Sequence, residues 1–178
     1  PFMLFLAFPL PHCPYTVPEP WYSMYNPADV PPLRPAELEG KPQYHRLIRQ
    51  YRELDRLGDA ELRRIMAVYL GMISYVDHVF GVVLDALDET GLADHTATFF
   101  FSDHGDWAGD YGLVEKWPSG LDDCLTRIPM VVRAPGNAAG HVVNEPVECF
   151  DIVPTTLELC GIEARHTHAA RSMVPQLG

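Results

Sequence analysis

Proline is the residue that regular elements tolerate least, and here it is crowded at one end: eleven of the seventeen prolines fall within residues 1–42. Each one removes a backbone donor and locks φ, so residues 9–42 are expected to run mostly as extended loop rather than as helix or central strand. A loop that long inside a domain is either functional or disordered. Its aromatics, Tyr15, Trp21, Tyr22 and Tyr25, favour an ordered loop that makes contacts. Ahead of it, residues 2–8 form a short continuous apolar run, expected as a strand buried on both faces. The run lacks the basic flank and small-residue cleavage site of a secretory leader. With Pro rather than Met at position 1, the chain is expected to be a piece of something longer, with any targeting signal lying ahead of it.

At 178 residues, with 47% apolar and 21% charged side chains, the chain suits one domain with a real core. Its net charge of −11 argues against a general binder of nucleic acid or anionic lipid. An anionic substrate would need a local positive centre, supplied by a metal or a few placed cations. No run approaches the ~18 consecutive apolar residues of a membrane span. Cys13, Cys124, Cys149 and Cys160 are far apart, with neither zinc-type nor redox-pair spacing.

The rest of the chain reads as alternating helix and strand. Residues 43–57 suggest a short helix. Asp59 is then expected to cap a long one, in which Leu62, Ile65, Met66, Tyr69, Met72, Ile73, Val76, Phe80, Val83, Leu84 and Leu87 recur at steps of three and four. Gly91 stands where a left-handed cap belongs. Residues 97–101 and 128–133 are expected as buried strands, and residues 142–149 as another. Asp151 is expected to cap a last helix running to about Leu159 and closed by Gly161. This order predicts an α/β fold with a mainly parallel sheet flanked by helices.

In such folds ligands bind beyond the carboxyl ends of strands, and Ser102-Asp103-His104-Gly105-Asp106 occupies that address after the strand at 97–101. A carboxylate and an imidazole side by side can hold a divalent cation together with donors from elsewhere; the alternative is a turn whose carboxylate caps the loop. Lys116 could hold an oxygen of a tetrahedral anion, or stand solvated on the surface. His12, in Pro11-His12-Cys13-Pro14, could donate to the anion or leaving group, or pack the loop. Asp106 and Asp110 read as supporting or loop-solvating carboxylates, and Asp77 and His78 as polar positions on the long helix. His45, His95, His141, His166 and His168 show no partner spacing and read as surface residues.

Taken together, Ser102-Asp103-His104-Gly105-Asp106, Gly109-Asp110-Tyr111-Gly112-Leu113 and Lys116-Trp117 resemble the sulfatase family of the alkaline phosphatase superfamily. So do the Pro11-His12-Cys13-Pro14 segment and the helix carrying Tyr69, Asp77, Gly81, Leu84, Leu87 and Gly91. Further matches are Asp94-x-Thr96, Arg127-Ile128-Pro129-Met130, Asp151-Ile152-Val153-Pro154-Thr155 and the tail from Arg171 to Leu177. The resemblance implies that Asp103 and His104 are metal ligands, where many sulfatases have Asp-Asn. It implies that His12 and Lys116 contact sulfuryl or phosphoryl oxygens. The family's nucleophile is a formylglycine made from the Cys of a Cys-x-Pro-x-Arg motif; its hydrate attacks the ester and a covalent hemiester collapses back to the aldehyde. That motif and the paired aspartates completing the metal shell do not occur in these residues, so no nucleophile is assigned. By the resemblance, residues 1–178 are the back half of one catalytic domain, inactive alone.

The implied activity is metal-dependent hydrolysis of sulfuric esters, with Ca2+ as the ion. The alternatives are a phosphonate monoester or phosphodiester hydrolase, for which an Asp-His pair suits Mn2+, and a non-catalytic degenerate homologue. Trp21 and Tyr22 are expected to line the leaving-group side of a small anionic ester. An unpaired sheet edge is expected to promote self-association or a homo-oligomer.

Overall fold

The computed structural model describes residues 2–37, 39–117, 120–137 and 139–178. The chain divides into two compact units, Pro1–Asp85 with His104–Arg127, and Ala86–Asp103 with Ile128–Gly178.

In the first unit the proline-rich stretch runs as turns and extended backbone up to helix α1, Gln43–Tyr51. Helix α2, Asp59–Glu89, is the longest element, and its last residues pass into the second unit. Its buried positions, Ala67, Val68, Gly71, Met72 and Val76, are spaced to share one face. Val17, Leu10, Tyr15 and Trp21 of the proline-rich loop pack against Val68, Met72 and Tyr75. Complete burial of Met72 is worth about 2–3 kcal/mol by area. Gly71 is where the loop comes closest: a Cβ there would collide with the backbone carbonyl of Trp21. The Tyr25 hydroxyl and Ser74 Oγ share a 2.8 Å hydrogen bond, and the Trp21 ring meets Tyr75 edge-on at 4.8 Å. The loop is therefore ordered, as its aromatics suggest.

A second core in the same unit joins Ile48 and Tyr44 of α1 to Trp107, Tyr111, Leu113, Cys124 and Leu125. A short helix, α3, spans Asp123–Thr126. His45, expected at the surface, is buried here instead, with Nε2 3.0 Å from Asp122 Oδ2 and its ring against Trp107 and Tyr111. Lys41 and Tyr44 also donate to Asp122. A histidine on an amphipathic helix is drawn inward when an acidic partner waits there, and that partner lies far along the chain.

In the second unit, strands β1, Thr98–Phe101, and β2, Met130–Arg133, pair antiparallel in the register Thr98↔Arg133 to Phe101↔Met130. Helix α4, Ile152–Leu159, follows a turn in which Glu148 and Asp151 cap one another reciprocally. Asp151 also accepts the Arg171 N–H at 2.8 Å, and Thr155 Oγ accepts that of Met173 at 2.8 Å, which ties the tail to α4. Gly91 and Gly161 adopt the left-handed conformation that ends their helices.

Several expectations need correction. Residues 2–8 form no strand: Phe2, Met3, Leu4 and Phe5 are exposed, because an apolar stretch needs a ladder partner and none pairs with it among the described residues. Residues 142–149 likewise lie outside any ladder. The pairing among the described residues is antiparallel, and the expected parallel sheet is not part of it. Asp59 opens α2 but turns its carboxylate to Arg63, while Glu61 takes the Gly58 N–H. Finally, α2 holds an 18-residue window of mean hydropathy 1.6, long and apolar enough to cross a membrane by length and composition alone. Its contacts with Val17, Trp21 and Tyr25 are those of a helix packed on protein.

Candidate active site

β1 ends at Phe101 and hands the chain to the Ser102–Asp106 segment. In the second unit the Ser102 carbonyl accepts the Cys149 S–H at 3.3 Å, and Asp103 is exposed. Burial, with the Asp103 charge added, pushes the Cys149 thiol up.

In the first unit the chain continues through His104, whose Nδ1 lies 2.8 Å from the Gly105 carbonyl. Since a carbonyl only accepts, Nδ1 carries the proton. Gly105 does not adopt a positive φ. Its lack of a side chain serves a close approach: the Gly105 N–H donates to Leu125 O at 2.8 Å, and a Cβ would overlap the Cys124 carbonyl.

Beyond it the loop is held by side chains from far away in sequence. The Tyr15 hydroxyl donates to Asp106 Oδ1 at 2.7 Å and accepts the Glu115 N–H at 2.8 Å. Burial, then the Asp106 carboxylate, drives the Tyr15 phenol well above its ordinary value, so it remains a donor. Asp110, buried, accepts the Arg34 N–H at 2.8 Å and pairs with the Arg34 guanidinium, which makes it a clamp between two loops. Arg52 donates to the Val114 carbonyl at 2.6 Å and the Trp117 carbonyl at 3.1 Å, and pairs with Glu115 Oε2 at 2.9 Å. Ala108, Tyr111 and Glu115 all have positive φ, with Glu115 at 65°. Non-glycine residues there are held at a cost of roughly 1–3 kcal/mol each, and such outliers gather at functional sites.

This scaffold brings one of the expected residues, His12, to the neighbour of another, Lys116. One ligand atom from each of His12, Cys13 and Glu115 lies within 4.8 Å of the others. Burial, Glu115 and Asp106 raise the Cys13 thiol, and Lys116 is near enough to oppose them. His12 and Cys13 are thus brought beside Glu115, the residue that directly precedes Lys116. His12 is exposed and its Nδ1 lies 2.7 Å from the Cys13 carbonyl. Trp21 and Tyr22 are turned to α2: Trp21 lies on Tyr75 and His78, and the Tyr22 ring lies beneath the Arg64 guanidinium at 4.5 Å. Cys13, Glu115 and the Tyr15–Asp106 bond were missed from sequence. The one available signal was that Glu115 directly precedes Lys116.

The sulfatase family profile matches residues 1–162. The chain is 33% identical over 194 residues to the multifunctional alkaline phosphatase superfamily protein PehA of Trinickia caryophylli, covering 99% of this chain and 37% of that protein. It is 32% identical over 180 residues to a sulfatase of Formosa agariphila, covering 98% and 35% respectively. Among solved structures, the phosphonate monoester hydrolase SpPMH of Silicibacter pomeroyi superposes with a TM-score of 0.82 at 33% identity, over 94% of this chain and 35% of that one. The chain thus spans little more than a third of the length of these relatives.

Proposed function

This chain belongs to the sulfatase family, and from that premise we propose that it is the part of a metal-dependent ester hydrolase that holds the transferred anion and half of the metal shell. The observation that supports the reading is the approach of His12 and Cys13 to Glu115, next to Lys116 in the chain, on a loop pinned by Tyr15, Arg34 and Arg52. Placed cations supply what an acidic chain otherwise lacks. Lys116 neutralises a non-bridging oxygen of the sulfuryl or phosphoryl group, and His12, as an imidazolium whose Nδ1–H is engaged by the Cys13 carbonyl, donates from Nε2 to the anion or the departing oxygen.

Asp103 and His104 are the proposed ligands of the divalent cation, Ca2+ in the sulfatase reading. The His104 Nδ1 bond to Gly105 O suits this role, since it leaves the lone pair on Nε2 and fixes the ring's tautomer. When bound, the cation offsets charge on the transferred group and acidifies the nucleophile. The nucleophile itself, a formylglycine in this reading, is assigned to residues outside this chain, as is the parallel remainder of the sheet. Residues 1–178 are then the back half of the catalytic domain. The parent's substrate is a small anionic ester, and Trp21 and Tyr22, packed on α2, shape its leaving-group side by anchoring their loop. The exposed apolar residues 2–6 favour self-association, seen as concentration-dependent elution in size exclusion.

A second reading is favoured by the Asp-His pair and by the phosphonate hydrolase superposition: the same site transferring a phosphoryl group, with Mn2+ preferred because imidazole is a poor calcium ligand. A degenerate homologue would bind the cation without turnover.

The test uses the full-length parent. Lys116→Ala and His12→Ala should each lower kcat by roughly 10²–10³. Asp103→Ala should lose metal and activity together, and activity persisting without bound metal would overturn the assignment. Side-by-side turnover of sulfate and phosphonate esters decides between the two chemistries, and turnover of neither favours the degenerate reading. Trp21→Ala and Tyr22→Ala should raise KM for bulky esters more than for small ones.

A further inference from the structure

We propose that His12, Cys13 and Glu115 form a second divalent-cation site, separate from Asp103 and His104 and suited to Zn2+. The three side chains each present a ligand atom, all within 4.8 Å of one another, so a small side-chain adjustment brings all three onto one ion. Thiolate, imidazole and carboxylate are the donor set that zinc takes in tetrahedral sites, with the fourth position left to water or substrate. Calcium and magnesium prefer all-oxygen shells, so the chemistry of this triad selects a different ion from the one assigned to Asp103.

The donors are also oriented by the groups around them. His12 Nδ1 is engaged by the Cys13 carbonyl at 2.7 Å, which puts the proton on Nδ1 and the lone pair on Nε2. Arg52 holds Glu115 Oε2 at 2.9 Å, and the Cys13 thiol is hydrogen-bonded to the same carboxylate, so the two donors already face one another. The left-handed backbone of Glu115 and the Tyr15 bond to its N–H fix where that carboxylate begins. Cys13 and Glu115 are half-buried and His12 is exposed, so an ion can enter from solvent. On binding, the Cys13 thiol transfers its proton to the buffer and the sulfur lone pair becomes the metal bond; nothing is oxidised or reduced.

One consequence rests on the proposed function. An ion held there takes the His12 lone pair and places a cation beside Lys116, so the site would be inhibitory, with zinc competing against the ester.

The experiment is a titration of the metal-free protein with Co2+ and then Zn2+. A thiolate-to-cobalt charge-transfer band should grow to one equivalent and collapse on adding Zn2+. Cys13→Ser should abolish the band, Glu115→Gln should weaken Zn2+ binding by about 10–100-fold by calorimetry, and Asp103→Asn should change neither. Circular dichroism confirms that each variant is folded, and the near-isosteric Cys13→Ser and Glu115→Gln changes leave the packing intact. Three results would overturn the site: no band while Cys13 still reacts with a thiol reagent, a band that survives Cys13→Ser, or a band lost in Asp103→Asn. The readout is independent of turnover, so an inactive parent would refute the proposed function and leave this binding result standing. In an active parent, Zn2+ should inhibit competitively, and Cys13→Ser should be inhibited less.

Discussion

Each of the two units is held together internally by its own kind of contact. In the first, the decisive bonds join polar side chains across long stretches of chain: Tyr15 to Asp106 over 91 residues, Arg34 to Asp110 over 76, and Lys41 to Asp122 over 81. In the second, the ties are shorter or run through backbone: Arg171 to Asp151 over 20 residues, Met173 to Thr155 over 18, and the β1–β2 ladder. Long-range polar ties give a loop a defined shape, but only while both partners are intact, because a buried group that loses its partner keeps its desolvation cost. The unit that carries His12 and Lys116 is accordingly the one whose geometry depends most on individual side chains.

The contrast can be broken experimentally because all three tryptophans and all eight tyrosines lie in the first unit. Fluorescence reports that unit alone, while reactivity of the half-buried Cys149 reports the second. The largest effect is expected from Gly105→Ala. Its Cβ would meet the Cys124 backbone, which has no flexible end to yield, and a loss on the order of 4 kcal/mol should appear as an earlier fluorescence midpoint in urea.

Asp122→Asn should follow at about 3 kcal/mol, since it leaves Lys41 and His45 without their anion. Burial works to raise the Asp122 carboxyl, but the hydrogen bonds from Lys41 and His45 outweigh it and hold the group below its ordinary value. A lowered folded pKa stabilises fully above the unfolded value, about pH 4, and that contribution is lost as pH falls through the folded one. The gap between wild type and Asp122→Asn should therefore be full at neutral pH and close in acid; a gap that widened in acid would refute the pairing.

Tyr15→Phe should cost about 2 kcal/mol, by depriving Asp106 of a donor and the Glu115 N–H of an acceptor. The smallest effect should come from Thr155→Val, about 1 kcal/mol, which removes the hydroxyl that donates to Asp151 O and accepts from Met173. It should speed Cys149 labelling without moving tryptophan fluorescence. If it moved both equally, the two units would unfold as one and the contrast would fail.

What was legible in the sequence follows the same division. Helix α2 and the left-handed ends at Gly91 and Gly161 could be read because period and cap chemistry are local. β1 and β2 lie inside the expected strands, though shorter. Residues 2–8 show where such reading stops: apolar continuity marks a wish to be buried and carries nothing about the partner. His45 fails in the opposite sense, because its partner Asp122 sits 77 residues away and no spacing rule connects them. His12 and Lys116 were recognisable as motif residues, whereas Cys13 and Glu115 gained meaning only when Tyr15 and Arg52 drew their loops together.

The bare seat that α2 offers to the Trp21 carbonyl at Gly71 makes this helix a gauge of length as well as a packing face. Each inserted or deleted residue turns everything downstream of it by about 100° around the axis. An indel between Val68 and Gly71 would present a side chain where the loop backbone must pass, and would swing Met72 and Val76 off the face they share with Val68. Substitutions on the outer positions of this stretch can accumulate freely, but its residue count cannot drift.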